Sequence, residues 1–78
     1  MNLKSNGIVM LKIPETDLYS IDIYNLSGQK IKILFEGNIN GGSHSYKWEV
    51  DTNISSGLYF LVVKSSRYFQ KFKMIYVK

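Results

Sequence analysis

The sequence predicts an all-β fold, a small sandwich of six to seven antiparallel strands, and three observations support this prediction. Runs of β-branched and aromatic residues recur about every ten residues. Clusters of Gly, Asn, Ser and Asp, the residue types typical of turns, separate these runs. No stretch of useful length has the period of about 3.6 residues that an amphipathic helix requires. The connections are also too short for parallel crossovers, so we expect antiparallel pairing.

The first two predicted strands, residues 8–13 and 18–25, differ in character. The first is a short apolar run that ends at Pro14, which cannot donate to a strand ladder. The second alternates between apolar and polar side chains, which predicts one buried and one solvated face. The expected buried side carries Tyr19, Ile21 and Ile23, and the expected solvated side carries Ser20 and Asp22. A turn at residues 25–28 follows, because Asn and Gly both tolerate positive φ.

The third and fourth predicted strands, residues 30–35 and 44–50, flank a loop with three glycines at residues 36–43. In the fourth strand His44, Tyr46 and Trp48 share one face, while Ser45, Lys47 and Glu49 share the other. We therefore expect Trp48 to pack between the two sheets of the sandwich.

The last two predicted strands, residues 58–64 and 68–77, are joined by a turn in the segment KSSR. The fifth strand is apolar on both faces, which is typical of a central strand. Together the six runs indicate a small Ig-like sandwich. Its predicted core contains Ile21, Ile23, Ile31, Trp48, Tyr59 and Leu61.

The composition limits what kind of protein this is. Hydrophobic residues make up 45% of the 78-residue chain and aromatic residues 14%, which is too apolar for a disordered protein. Residues 1–78 are expected to form one domain. The absence of cysteine excludes disulfides and thiolate metal sites. No apolar run approaches the roughly 18 residues that span a bilayer, so we expect no stable membrane insertion. The N-terminal segment does not have the pattern of a signal peptide, so if the protein is exported, its export signal is expected upstream of these residues.

The residues with reactive side chains do not form a recognisable catalytic or metal-binding motif. His44 is the only histidine, and its place beside Tyr46 and Trp48 favours packing over catalysis. Glu15 and Asp17 follow Pro14 and are interpreted as a solvated turn, and Asp51 as a turn former. The tyrosines could stack on a sugar or a base, although tyrosines in strands are commonly sheet packing. We therefore expect no catalytic residue, no cofactor and no metal.

The net charge of +4 raises the question of nucleic-acid binding. Half of the ten basic residues lie at positions 64–78: Lys64, Arg67, Lys71, Lys73 and Lys78. Lysines on exposed strand faces and edges also prevent strands from pairing between molecules. We favour this second interpretation and expect no nucleic-acid partner.

The order of the motifs resembles a known family. The segments YSIDIYNLSGQKIKILFEG, GGSHSYKWE and ISSGLYFLVVKSSRYFQKFKMIYVK occur in sequence along the chain. They are similar to the C-terminal sorting domain of the type IX secretion system, found at the end of secreted Bacteroidetes proteins. The residues that match its pattern are Tyr24, Gly28, Ile31, Gly42, His44, Trp48, Ser56, Gly57, Tyr59, Phe60, Lys73, Met74 and Lys78. Asn25, Gln29 and Glu49 depart from it, since the family usually has Asp, a basic residue, and Asp or Asn there.

This resemblance implies that residues 1–78 are a C-terminal sorting domain, which could be cut from the end of a larger secreted protein. It implies passage of an attached upstream cargo through the outer-membrane translocon, via the periplasm, to the cell surface or the medium. The implied partners are that translocon and a sortase-like peptidase, and no catalysis is implied. The expected recognition residues are Gly57, Tyr59, Lys73, Met74 and Lys78, and the expected turn and core residues are Gly28, Gly42 and Trp48.

Two other functions are compatible with a small β-domain. One is an accessory binding module of the Ig-like or fibronectin type, with its contacts to a sugar or a neighbouring domain on an aromatic face. The other is a nucleic-acid-binding domain, favoured only by the pI of about 9.4. A sorting domain would instead have its recognition residues on the C-terminal strand.

Overall fold

The computed structural model describes residues 2–3, 6–49 and 54–77, with side chains for 8–48 and 54–77. Strands and turns account for the regular structure in these ranges, which contain no helix. The strands are β1 (Asn2–Leu3), β2 (Asn6–Ile13), β3 (Asp17–Asn25), β4 (Lys30–Ile39), β5 (Gly42–Glu49), β6 (Gly57–Lys64) and β7 (Phe69–Tyr76). The predicted all-β fold is confirmed.

The strands form two sheets. One has five strands in the order β1-β7-β6-β3-β4, and the other pairs β2 with β5. Six strands pair antiparallel, as predicted, and β6 is central, between β3 and β7. The seventh differs from the prediction, since the two-residue β1 runs parallel to the end of β7. So short an element has no alternation that could have indicated it.

The core lies between the two sheets. The five-stranded sheet contributes Tyr19, Ile21, Ile23, Ile39, Tyr59, Leu61, Val63, Met74 and Tyr76, and the two-stranded sheet contributes Val9, Leu11, Ile13 and Trp48. Five of the six predicted core residues are buried, and the sixth, Ile31, is partly buried against them. Of the fully buried side chains Trp48 is the largest, so it makes a large contribution to the contact between the sheets.

The predicted loop at residues 36–43 was wrong except at residues 40–41, because β4 ends at Ile39 and β5 begins at Gly42. β4 continues to Ile39, because Gly37 and Asn38 pair with Tyr19 and Leu18 of β3. Ile39 is buried at the end of this pairing. Pairing with β3 and burial of Ile39 thus override the weak strand propensity of Gly and Asn.

The prediction that Asp22 lies on a solvated face was also wrong. Its side chain has no exposed surface, although it points away from the core. In the register of the sheet it lies between Ile33 of β4 and Val62 of β6. Lys30 Nζ approaches Asp22 Oδ2 at 3.6 Å, and no described residue donates a hydrogen bond to the carboxylate. Neighbouring side chains on the outer face therefore bury this charge, which strand alternation alone could not indicate.

Candidate functional site

The hairpin of β6 and β7 holds most of the predicted recognition residues. The two strands pair antiparallel from Gly57 opposite Tyr76 to Lys64 opposite Phe69. A backbone hydrogen bond of 2.8 Å from Ser65 N to Tyr68 O closes the turn between them. On its other edge β7 pairs with β1 at Ile75 and Tyr76. The C-terminal strand is therefore an integral part of the sheet.

An aromatic cluster attaches the same hairpin to the second sheet. Trp48 of β5 lies 5.9 Å from Tyr59 in an edge-to-face arrangement and 6.1 Å from Tyr76, measured between ring centroids. Tyr59 and Tyr76 also contact each other at 6.4 Å. Such pairs contribute about 0.5–1.5 kcal/mol each beyond the area they bury. Trp48 thus holds both strands of the hairpin at their ends.

The structure separates the predicted recognition residues into buried and exposed ones. Tyr59 and Met74 are directly opposite each other and both buried, so their side chains support the hairpin from inside. Lys73 is exposed opposite Phe60, and Gly57 is exposed at the start of β6. Lys78 lies outside the described residues. Of the described members of the set, Lys73 alone presents a side chain to solvent.

The backbone conformation at position 57 favours glycine. Its φ is +157°, in the region that residues with a Cβ rarely adopt, and a Cβ there would meet no atom within 4 Å. The constraint is therefore conformational rather than steric. Two residues earlier the carbonyl of Ser55 accepts a hydrogen bond of 2.6 Å from Tyr59 Oη. The glycine and the tyrosine together fix how the chain enters β6.

The other predicted structural residues lie at turns and in the core. Gly28 has a φ of +85° in the turn between β3 and β4, where its N–H donates to Asn25 O at 3.0 Å. Gly42 begins β5, the strand that ends near the buried Trp48. The half-buried His44 has its Nε2 2.6 Å from Asn40 O, so the ring holds the loop before its own strand.

These contacts bring the motifs of the sequence analysis together in one sandwich. A comparison of the chain with protein families shows which family it belongs to. The family described as secretion system C-terminal sorting domain matches residues 5–78. The chain belongs to this family. The resemblance to type IX sorting domains is thereby confirmed over nearly the whole chain. No curated protein and no solved structure matched the chain.

Membership sets the class of function. Sorting domains are signals for a secretion system rather than a family of enzymes, and they imply a secreted or cell-surface protein. Recognition by the type IX machinery and attachment to an upstream cargo follow from the same membership. In the described part of this sorting domain no helix is long and apolar enough to cross a membrane.

Among the described residues of the sorting domain, the acidic and basic side chains lie at or near the surface, with the exception of Asp22. Arg67 Nε lies 3.3 Å from Glu15 Oε1 and 4.0 Å from Asp17 Oδ2, so the two acids after Pro14 share one cation. Desolvation raises the pKa of Tyr46 above its ordinary value of 10.0, away from the physiological range. Within the described ranges no three His, Cys, Asp or Glu side chains could hold a metal ion together.

Sequence reasoning missed one surface of the sorting domain. On the outer face of the five-stranded sheet, Lys71 Nζ lies 4.4 Å from the ring centroid of Phe60. Beside this pair is a groove of about 280 Å³ that reaches Phe69, Val62 and Tyr24. The apolar residues on the second face of β6 were a signal for it. These residues indicate a central strand, and in the structure Phe60 and Val62 also line the groove.

Proposed function

We propose that this domain directs a cargo attached upstream of it through the outer-membrane type IX translocon to the cell surface or the medium, via the periplasm. The observation that supports this most is the integration of β7, which pairs with β6 over its whole length. Chain ends usually fray, because few contacts order them. A strand fixed in this way offers a receptor a defined backbone and side-chain pattern rather than an ensemble.

The translocon is proposed to recognise the exposed features of β7. Lys73 offers a charge on the surface, and Lys78 would add a second. Among the described residues β1 covers β7 only at Ile75 and Tyr76. The edge of β7 before Ile75 could therefore take a receptor strand by β-augmentation, with the lysines adding charge contacts. Tyr59 and Met74 keep this strand in place from the core side.

The domain is proposed to act without catalysis of its own. After export, a sortase-like peptidase of the secretion system would remove it and attach or release the cargo. The domain would have no further role after the translocon has recognised it and the peptidase has cleaved it. This is compatible with a small sandwich whose described reactive side chains take part in packing and turns.

A fusion experiment tests this function. A foreign cargo with an N-terminal signal peptide is expressed with and without the 78-residue chain at its C-terminus, in a host that has the type IX machinery. We expect the cargo outside the cell only with the domain attached. Cargo that stays in the periplasm with the intact domain would refute the proposal.

A second pair of fusions tests the charge contacts. Lys73→Ala combined with Lys78→Ala should reduce export with little loss of stability, because exposed lysines contribute little to folding. Lys12→Ala, on the two-stranded sheet, is the control and should export like the wild type. Full export of a folded double variant would show that the lysines are not the signal.

A further inference from the structure

The outer face of the five-stranded sheet carries aromatic and apolar side chains beside lysines, although it faces solvent. We name the surface formed by Tyr24, Phe60, Val62, Phe69 and Lys71 the lysine–aromatic face. In the sheet register Tyr24 is opposite Phe60, and Val62 is opposite Lys71, so these side chains are neighbours. The second sheet packs on the other side, around Trp48. Phe69 is 64% exposed, which leaves apolar surface in contact with water.

A groove runs across this face. It has a volume of about 280 Å³ and extends from Leu26 in the turn, past Phe60 and Val62, to Phe69 and Lys64. Pockets for small-molecule ligands usually measure about 300–1,000 Å³. The groove lies close to the lower end of this range, which suits one or two apolar side chains of a partner.

The accessible charge at the groove is positive. Lys71 Nζ lies over the Phe60 ring at 4.4 Å, and Lys30 Nζ is 6.0 Å from the Tyr24 ring centroid. Lys64 lines the groove and Lys73 lies opposite Phe60. Of the acids on this face, Asp22 is fully buried and Glu36 lies beyond the groove, opposite Ser20 of β3. A bound carboxylate would meet Lys71, whose ammonium group lies over the Phe60 ring, and Lys30, which is paired with Asp22 at 3.6 Å but keeps 41% of its side chain exposed.

We propose that the lysine–aromatic face docks an acidic protein segment, one that places an aromatic or large apolar side chain in the groove and carboxylates beside Lys71 and Lys30. This proposal rests on the proposed sorting function, since the segment would belong to the secretion machinery. Charge complementarity selects this occupant. A second copy of the chain would bring lysines against lysines. A membrane would need a projecting apolar surface rather than a groove.

Peptide titration of the ¹⁵N-labelled 78-residue chain tests the proposal. The probe is a blocked pentapeptide with Phe flanked by two Glu on each side, and the control peptide has Gln in place of Glu. We expect the amide signals of Phe60, Val62 and Lys71 to shift with the acidic peptide and to shift much less with the neutral one. The acidic peptide should lose affinity as salt is added.

Matched variants localise the binding. Lys71→Gln and Phe69→Ser should each weaken binding of the acidic peptide about two- to fivefold, from the loss of one charge or one exposed apolar contact. Lys12→Gln and Met10→Ser are the matched controls on the two-stranded sheet. Met10 is 69% exposed, a fraction similar to that of Phe69. Both controls should bind like the wild type.

Several results would overturn the proposal. They are the absence of binding up to millimolar peptide, equal binding of the neutral peptide, or equal weakening by the control variants. If phosphatidylglycerol vesicles or single-stranded DNA shifted the same amide signals and bound more tightly than the acidic peptide, the face would have a different partner and the proposal would be refuted. In the fusion assay, wild-type export by Lys71→Gln and Phe69→Ser would refute this docking role and leave the sorting function intact. Failure of the unmodified domain to export would refute the sorting function itself.

Discussion

Asn25 donates a hydrogen bond of 2.9 Å from Nδ2 to Gln29 Oε1, across the turn that joins β3 and β4. In the motif pattern on which the resemblance rests, Asp is expected at the first of these positions and a basic residue at the second. The two departures are in contact, so an amide pair occupies a place where opposite charges could pair. The turn keeps its geometry because Asn25 Oδ1 accepts from Ser27 N at 3.0 Å and from Gln29 N at 2.9 Å.

The turn gives the first prediction. Asn25→Ala removes the acceptor of two backbone N–H groups and should lower the free energy of unfolding by about 1–2 kcal/mol, measured by urea denaturation. Asn25→Asp keeps an acceptor oxygen and should stay within about 0.5 kcal/mol of the wild type. Gln29→Ala is the control for the side-chain pair alone. Equal destabilisation by Asn25→Asp and Asn25→Ala would contradict this account of the turn.

The buried carboxylate of Asp22 gives the second prediction. Asp22→Val places a β-branched side chain between Ile33 and Val62, and leaves Lys30 free to extend into water. Because replacing buried charges by apolar groups is often stabilising, we expect the free energy of unfolding to rise by about 1–2 kcal/mol. Lys30→Met should instead lower it, since the carboxylate then lies buried without its cation. A loss of stability in Asp22→Val would contradict the claim that burial of this carboxylate costs stability.

The aromatic cluster gives the third prediction. Trp48→Ala should lower the free energy of unfolding by about 3–5 kcal/mol, a large part of the stability of so small a domain. Trp48→Phe should cost less, because Trp48 Nε1 has no hydrogen-bond partner among the described residues and none is lost. The fluorescence emission of the folded wild type should be that of a buried indole. An emission maximum typical of full exposure would contradict the sandwich.

Partial burial of Tyr46 gives the fourth prediction. Its ring lies 5.6 Å from that of Phe35, and desolvation raises its pKa above 10.0. The unfolded chain titrates at the ordinary value, so the contribution of neutral Tyr46 to stability is complete below that pH. This contribution is lost as the pH rises through the raised pKa. Between about pH 9 and 11 the wild type should therefore lose more stability than Tyr46→Phe, and identical pH profiles would be contrary to this expectation.

The strands and the core could be predicted from the sequence because alternation and turn residues report on them directly. The two faces of β3 show what alternation cannot predict. Tyr19, Ile21 and Ile23 are buried as their spacing predicts, but Asp22 is buried too. Its burial depends on the side chains that β4 and β6 place on either side of it, and the alternation of β3 alone does not give that register. The lysine–aromatic face escaped prediction for the same reason, since Lys71 and Phe60 meet only once the hairpin has formed.

The measurement that tests the central claim most directly is the fraction of a signal-peptide-bearing cargo that leaves the cell when fused to folded or unfolded forms of this domain. The account predicts export with the wild-type domain and with Lys12→Ala. It predicts retention in the periplasm with Trp48→Ala, whose hairpin loses the contacts of Tyr59 and Tyr76 with the indole ring. Circular dichroism of the purified 78-residue chains establishes which of them are folded. Retention of the wild-type fusion in the periplasm, or equal export by a Trp48→Ala domain shown to be unfolded, would contradict a sorting signal that a folded C-terminal strand presents.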